Sequence, residues 1–243
     1  MNKFYTDNVY VLIQNNDEKK RFKNYISKIN INYNFFNSVK FNNNDLKDLY
    51  LLTKSKNIND INDINLQSYY DKYKNYKLNR NQISHIKSII GIIKDAIKND
   101  YKSITILEYD IFVSKDLNTL LPKYKNLINN CDIIYLGSSQ HYWYNPIDYT
   151  KITYHQDYYD ANHSLGTFAI ILKKKVYQIY LEYLEKFLFS SDIILSIISK
   201  KFKSIVIYPN LIICDISKSS ILKDRNEKET LLKFKWNKLN YIN

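Results

Sequence analysis

Residues 103–113 read Ser103-Ile-Thr-Ile-Leu-Glu-Tyr-Asp-Ile-Phe-Val113, and this stretch decides the fold. Its apolar and β-branched residues are typical of a buried strand. Carboxylates at the end of a buried strand are costly unless they bind a cation or pair with a base. Because alternate side chains of a strand share a side, we expect Glu108 and Asp110 to converge and Tyr109 to point the other way.

The two carboxylates allow two interpretations. Convergent carboxylate oxygens suit a hard divalent cation such as Mn²⁺ or Mg²⁺. Alternatively, Glu108 and Asp110 form a polar strand end that meets solvent or pairs with a nearby lysine. The residues alone leave both interpretations open.

The composition of the 243-residue chain is that of a globular protein with a formal net charge of +12. A basic protein can bind nucleic acid, anionic lipid or phosphorylated small molecules. Its lysines are scattered and form no long block, so we expect a solvated lysine-rich surface and no nucleic-acid partner. Two cysteines, Cys131 and Cys214, are too few for a disulfide framework.

The sequence also carries expectations about location. The first residues lack an apolar signal core, and no apolar run approaches the roughly 18 residues that span a bilayer. We therefore expect a cytoplasmic protein without a transmembrane segment. The oligomeric state stays open.

Strand and helix patterns alternate along most of the chain. Residues 8–14 predict a strand and 18–29 a helix, 81–99 a long helix, and 131–137 and 165–172 further buried strands. This alternation predicts an α/β fold with a mainly parallel central sheet, formed by one domain over residues 1–243. The first strand-to-helix turn lacks a Gly-x-Gly-x-x-Gly loop, so a dinucleotide site of that type is not supported.

Two segments are predicted to lie outside this core. Residues 42–66 are polar and locally repetitive, which indicates an insertion or a flexible surface segment. Residues 225–243 contain a lysine-rich helix, over about 227–239, that we expect to be peripheral.

Four single residues have a functional and a simpler interpretation. Arg21 is either a solvated arginine or a cation near a diphosphate. His85, in the first turn of its helix, either contacts a phosphate or a carboxylate or packs locally. Asp192 is either an N-cap or a reactive carboxylate at a helix start. Gly166 is one of only three glycines, which indicates a backbone constraint or the close approach of a ligand.

Residues 138–164 form the longest stretch without periodicity. They contain His141, His155 and His163, together with Trp143 and many tyrosines. The stretch follows a strand, where α/β folds place their binding loops. The spacing of the three histidines fits no standard zinc motif.

The order of these motifs resembles glycosyltransferase family 25, the bacterial lipooligosaccharide and collagen-type galactosyltransferases. The resemblance covers most of the chain. Its motifs are the opening strand with the later Arg21, Asn81-Gln-Ile-Ser-His-Ile86, Ile106-Leu-Glu-Tyr-Asp110, Cys131-Asp-Ile-Ile-Tyr-Leu-Gly137, Gly166-Thr-Phe-Ala-Ile-Ile171, and Ser191-Asp-Ile-Ile-Leu195 followed by Tyr208-Pro209.

The resemblance implies a GT-A-like, Rossmann-type α/β/α sandwich. It also implies an inverting, metal-dependent glycosyltransferase that moves a sugar from a UDP-sugar to a hydroxyl on a glycan or protein. The implied metal ligands, for Mn²⁺ or Mg²⁺, are Asp110 and Glu108. The implied donor-binding residues are Gln14, Arg21, His85, Glu108 and Gly166. The implied catalytic base is Asp192, with His163 as the second candidate.

The sequence departs from the family pattern at three places. Gln14 and Asn15 stand near the usual Asn-Leu. Tyr109 replaces the middle acidic residue of the Leu-Glu-Asp-Asp motif, and residues 77–81 replace a Gly-Glu-x-Gly-Cys segment. These departures leave a second hypothesis, a catalytically degenerate GT-A-like domain that acts as a binding or scaffolding module.

Overall fold

The computed structural model describes residues 3–26, 31–42, 44–55, 76–144, 151–218 and 226–242. The strands are β1 (Asn8–Ile13), β2 (Asn34–Asn37), β3 (Ser103–Glu108), β4 (Ile111–Ser114), β5 (Ile133–Tyr135), β6 (Ser139–Gln140), β7 (Tyr158–Asp160), β8 (Ser164–Leu165), β9 (Ala169–Lys173), β10 (Ser204–Ile207), β11 (Ile212–Cys214) and β12 (Tyr241–Ile242). The α-helices are α1 (Asn16–Ile26), α2 (Asn44–Ser55), α3 (Arg80–Lys98), α4 (Leu117–Leu120), α5 (Lys125–Asn130), α6 (Lys174–Leu184), α7 (Ser191–Ser199) and α8 (Glu227–Phe234). Within these ranges, no helix has the length and apolar character needed to cross a membrane.

The central sheet has seven strands in the order β2-β1-β3-β9-β5-β10-β7. Strands β2, β1, β3, β5 and β10 run in one direction, whereas β9 and β7 run in the other. The predicted α/β fold with a mainly parallel sheet is therefore confirmed. A smaller sheet has the order β11-β4-β12, and β6 pairs with β8.

Both faces of the central sheet are covered, as burial of its continuous apolar strands requires. One face packs against α3, α6 and α7, through residues that include Ile86, Tyr180 and Ile194. The other face packs against α1, α5 and the smaller sheet. The carboxyl ends of the parallel strands β1, β2 and β3 meet at one edge, and this edge positions the site described below.

The stretch 103–113 forms two strands rather than the single strand predicted. Strand β3 ends at Glu108, Tyr109 and Asp110 form a turn, and β4 continues into the smaller sheet. The apolar residues of β4 are buried against the second face of the central sheet, so the apolar run continues although the strand does not. The alternation rule therefore does not extend to Asp110.

Residues 44–55 form α2, although the sequence predicts an insertion or flexible segment over 42–66. Leu46 is buried, and Leu49 and Tyr50 pack beside it in the core on the α3 side of the sheet. These residues share one helical face, and the repetitive asparagine-rich sequence that follows masked this pattern. Residues 56–75 lie outside the described part of the chain.

The apolar residues between 116 and 128 have helical spacing, which predicts one helix, but the helix is interrupted at Pro122. A 3₁₀ turn, Leu121–Tyr124, separates α4 from α5. Proline has no backbone N–H and clashes with the preceding turn, so it breaks a continuous α-helix.

The C-terminal helix is shorter than predicted, and its last residue, Phe234, is the one that is buried. Helix α8 ends at Phe234, because Lys235 adopts a left-handed conformation with φ 58°. Phe234 and Trp236 are 1% and 6% exposed, and they pack against the face that holds the smaller sheet. The segment is therefore not the peripheral element that its lysines suggested.

Candidate donor site

A cavity of about 340 Å³ lies at the carboxyl ends of β1, β2 and β3. This is the edge where sheets with parallel strands place their ligands. The cavity is lined by residues that follow these strands and by the first turns of α3, namely Leu12, Gln14, Asn15, Ser38, Val39, Lys40, Phe41, Asn81, Ser84, His85, Glu108, Tyr109 and Asp110.

Glu108 and Asp110 both line this cavity. Burial, followed by the neighbouring charge of Glu108, raises the pKa of Asp110 to about 8. Oδ1 of Asp110 is buried and has no hydrogen-bond partner among the described residues. Among the described residues, no hydrogen-bond donor therefore compensates for the burial of this oxygen.

Tyr109 lines the same cavity and does not point away from it. Its hydroxyl is near the Glu18 carboxylate in the first turn of α1, where hydrogen bonding from the phenol opposes the rise that burial causes in the pKa of Glu18. Burial, followed by the charges of Asp110 and Glu18, raises the pKa of Tyr109. The phenol therefore stays protonated and can donate to Glu18.

His85 connects the cavity to two other elements. Its Nε2 lies 3.2 Å from Glu108 Oε1, and its Nδ1 lies 2.9 Å from Ser191 Oγ at the start of α7. Only 15% of the His85 side chain is exposed. Burial lowers the pKa of His85, but the hydrogen bond and charge of Glu108, with the charges of Asp192 and Asp110, outweigh burial and raise it.

Asp192 is the second residue of α7 and lies beside this group. Its Oδ1 accepts hydrogen bonds from Ser190 Oγ (2.5 Å) and from the amide of Ile193 (2.9 Å). The charge of Asp192 contributes to the raised pKa of His85, although Asp192 does not itself line the cavity. Within the described residues, no hydrogen bond reaches Oδ2, so one oxygen is available to a ligand.

Gln14 and Arg21 both belong to the β1–α1 region. Gln14 lines the cavity, and its backbone N–H donates to Glu18 Oε2 (2.5 Å). Arg21 is exposed on α1 and does not line the cavity. Its charge opposes the rise that burial causes in the pKa of Glu18 and of Tyr109.

Gly166 and His163 are not brought to the cavity. Gly166 has φ 96°, and a Cβ there would lie 2.6 Å from the Phe168 ring. Of the two interpretations of this glycine, the structure supports a backbone constraint. His163 is 5% exposed, and its ring lies 6.5 Å from that of Tyr142.

Several lining residues were missed by sequence reasoning. Residues 38–41 follow the carboxyl end of β2, so the strand order of an α/β sheet could have indicated them. Ser84 precedes His85, and its hydroxyl is buried without a partner among the described residues. Ser191 gave no signal, because its contact with His85 spans 106 residues of sequence.

The residues present fit a divalent cation in part. In the described part of the chain, no group of three or more His, Cys, Asp or Glu side chains could hold a metal alone. Two carboxylates, one with a buried unpartnered oxygen, fit a hard cation whose remaining ligands are phosphate oxygens and water.

Comparison with known proteins identifies the family. Residues 6–195 match the family described as glycosyltransferase family 25 (LPS biosynthesis protein). No curated protein matches the chain. The fold is similar to the "Crystal Structure of A197 from STIV", with 10% identity, a TM-score of 0.33, and coverage of 90% of this chain and 99% of that chain. This likeness is too loose to carry a conclusion.

The structure is that of an α/β protein with a cavity at the carboxyl edge of its sheet. The family match covers most of the chain, and the chain belongs to glycosyltransferase family 25. It is therefore a glycosyltransferase, which uses a sugar donor and an acceptor. The resemblance seen in the sequence motifs is confirmed.

Proposed function

We propose that the protein is a metal-dependent, inverting glycosyltransferase that moves a sugar from a UDP-sugar to a hydroxyl of a glycan or protein. The observation that carries this proposal is the carboxylate pair of Glu108 and Asp110 lining the cavity, with one buried oxygen to which no described residue hydrogen-bonds. Mn²⁺ or Mg²⁺ bound there supplies charge stabilisation for the departing diphosphate.

The cavity supports a nucleotide diphosphate as the donor group. Its volume is that of a small-molecule site, and its walls combine apolar and polar side chains. Lys40 is the one lysine or arginine among its described lining residues, so it is the nearest cation for a phosphate. The proposed donor set is completed by His85, Gln14 and the more distant Arg21. Gly166 contributes through the backbone conformation that it permits.

The reaction is a single in-line displacement. The acceptor oxygen forms a bond to the anomeric carbon, while the bond from that carbon to the diphosphate oxygen breaks and its electron pair leaves with UDP. Asp192 accepts the proton of the acceptor hydroxyl through its available oxygen. Neither Asp192 nor His163 lines the cavity, but the charge of Asp192 acts on His85, which does, so His163 is the weaker candidate for this base.

The acceptor side is proposed to involve residues 138–164. Trp143 and Tyr154 stack with their ring centroids 6.2 Å apart, and Tyr208 lies 5.7 Å from Tyr154. Tyr208 directly follows β10, at the same sheet edge as the cavity and three strands from β3. At about 4.8 Å per strand this is a distance of ~15 Å, which suits an extended acceptor. A contribution from residues 42–66 stays a prediction.

Turnover of a panel of nucleotide sugars with Mn²⁺ tests this function. We expect the wild-type protein to hydrolyse or transfer from at least one UDP-sugar, and Asp110→Ala to abolish that turnover. Unchanged turnover in Asp110→Ala would refute the metal assignment.

The proposed base has its own test. Asp192→Asn removes the proton acceptor, so we expect the transfer rate to fall at least ~100-fold while UDP binding is retained. His163→Ala is the matched comparison and should lose much less. A full transfer rate in Asp192→Asn with normal donor binding would exclude Asp192 as the base.

A catalytically degenerate binding module is the second candidate function. Tyr109 stands where the family has an acidic residue, and its hydroxyl bonds to Glu18 rather than adding a third carboxylate. A protein that binds UDP with Mn²⁺ but turns over no nucleotide sugar would support this alternative. A protein that binds no nucleotide would support a scaffolding role.

A further inference from the structure

Four polar side chains connect the start of α7 to the proposed donor site. Ser191 Oγ lies 2.9 Å from His85 Nδ1, and His85 Nε2 lies 3.2 Å from Glu108 Oε1. Thr167 Oγ1 donates to the same Glu108 oxygen (3.3 Å). The chain of contacts joins α7, α3 and β3 with residue 167, which immediately precedes Phe168 and β9.

Ser191 is held firmly at its end of this connection. It is 3% exposed, and its backbone carbonyl accepts a hydrogen bond from the Tyr180 hydroxyl (3.0 Å) on α6. A hydroxyl buried in this way does not reach solvent, and its hydrogen bond within the described part of the chain is with His85. The Ser191 hydroxyl therefore acts on the histidine ring rather than on a ligand.

The donor and acceptor rules define what each contact does. An ionised carboxylate only accepts, so His85 Nε2 carries the proton that is shared with Glu108. A serine hydroxyl can donate or accept, so Ser191 satisfies Nδ1 in either protonation state of His85. The ring is consequently held in one orientation, with Nε2 directed at Glu108.

Glu108 is thereby divided into two oxygens with different roles. Oε1 is occupied by His85 and Thr167. In the described part of the chain, no hydrogen bond reaches Oε2. The fixed Oε1 therefore determines where Oε2 stands relative to the cavity.

We propose that Ser191 is a positioning residue of the donor site, which acts through His85 to hold Glu108 with Oε2 available to the metal-bound nucleotide diphosphate. This inference rests on the proposed function of Glu108. Residues that hydrogen-bond to a metal-ligating side chain orient it, and their removal changes the metal affinity by about 10–100-fold.

The test compares hydroxyl deletions within one helix. We expect Ser191→Ala to raise the dissociation constant of UDP, measured by calorimetry with Mn²⁺, about tenfold. Ser191→Thr keeps the hydroxyl and should remain within about twofold of wild type. Ser196→Ala is the control, because Ser196 is a buried serine of the same helix whose hydroxyl has no partner in the described residues. It should leave the dissociation constant unchanged.

A second readout requires no ligand. Two-bond ¹H–¹⁵N spectra report the ring nitrogens of His85, which His85→Gln identifies among the four histidines. We expect the Nδ1 resonance to shift in Ser191→Ala and not in Ser196→Ala. If Ser191→Ala does not fold, Ser191→Cys, whose thiol is a weak donor, provides the same comparison.

The outcomes separate this inference from the proposed function. If wild type binds no UDP with Mn²⁺, the proposed function fails, and the ¹⁵N comparison still tests the contact. If wild type binds UDP and Ser191→Ala binds it equally well, with an unchanged Nδ1 resonance, Ser191 is not a positioning residue.

Discussion

Tyr109 is the residue that most distinguishes this site from the family pattern. Its hydroxyl bonds to Glu18, which also accepts from the Gln14 amide and from Asn15 Nδ2 (3.2 Å). The turn after β3 is thus tied to the turn after β1. Both turns line the cavity, so this single phenol orders two of its walls.

Removing the Tyr109 hydroxyl tests this connection. Tyr109→Phe keeps the ring but loses the bond to Glu18, so we expect the affinity for UDP with Mn²⁺ to fall about threefold to tenfold. Tyr144→Phe is the control, because Tyr144 is 53% exposed and distant in sequence from both turns. Equal affinities in the two variants would show that the Tyr109 hydroxyl does not order the cavity.

At the scale of elements, α3 presents Ser84 and His85 to the cavity from its first turns. The helix begins with a capping box. Asn79 Oδ1 accepts from the backbone N–H of Gln82 (2.9 Å), and Gln82 Oε1 accepts from the backbone N–H of Asn79 (2.8 Å). These two bonds satisfy backbone groups that would otherwise lack partners at the helix start.

The cap makes a measurable contribution to stability. Asn79→Ala removes the side-chain acceptor, and we expect the free energy of unfolding in urea to fall by about 1 kcal/mol. Asn79→Asp keeps an acceptor at the same position and should lose much less. A stability loss that is equal in both variants would contradict the capping role.

Most elements were predictable from periodicity, and the failures have identifiable causes. The apolar stripe of α3 and the buried run of β1 predicted these elements correctly, whereas the single strand predicted over 165–172 is divided between β8 and β9. The turn at Tyr109 and Asp110 was missed because an apolar run looks the same whether it stays in one sheet or enters a second. Helix α2 was missed because low-complexity sequence follows it.

The site was predictable only where its residues belong to one local pattern. Glu108 and Asp110 were identified from one strand end, and His85 from one motif. Ser191, Thr167 and Lys40 reach the site through the arrangement of the sheet and the helices, which local sequence does not specify. His163 and Gly166 were placed with the donor or acceptor by sequence order, yet neither lines the cavity.

At the scale of the whole molecule, the C-terminal segment packs against the face of the central sheet that holds the smaller sheet. Trp236 packs against Phe168 and Phe234, with ring centroids 5.9 and 4.9 Å away, and Lys235 Nζ lies 4.0 Å from the Trp143 ring centroid. The segment therefore connects β12 and the residues before β9 to the aromatic residues on the proposed acceptor side.

Truncating the buried tryptophan tests this contribution. Trp236→Ala should lower the free energy of unfolding by about 3 kcal/mol or more, since it removes a large side chain from a packed core. Leu239→Ala is the control, because Leu239 is 80% exposed, and it should change stability by less than about 0.5 kcal/mol. Similar small losses in both variants would mean that the segment is peripheral after all.

The central claim is that Glu108 and Asp110 bind a metal–nucleotide donor in the cavity, and calorimetric titration of UDP tests it most directly. We predict binding by wild type in the presence of Mn²⁺, loss of that binding when the metal is chelated, and no detectable binding by Asp110→Ala. Asp116→Ala, which removes an exposed carboxylate six residues away, should bind as wild type does. UDP binding that is indifferent to Mn²⁺ and to Asp110→Ala would contradict the claim.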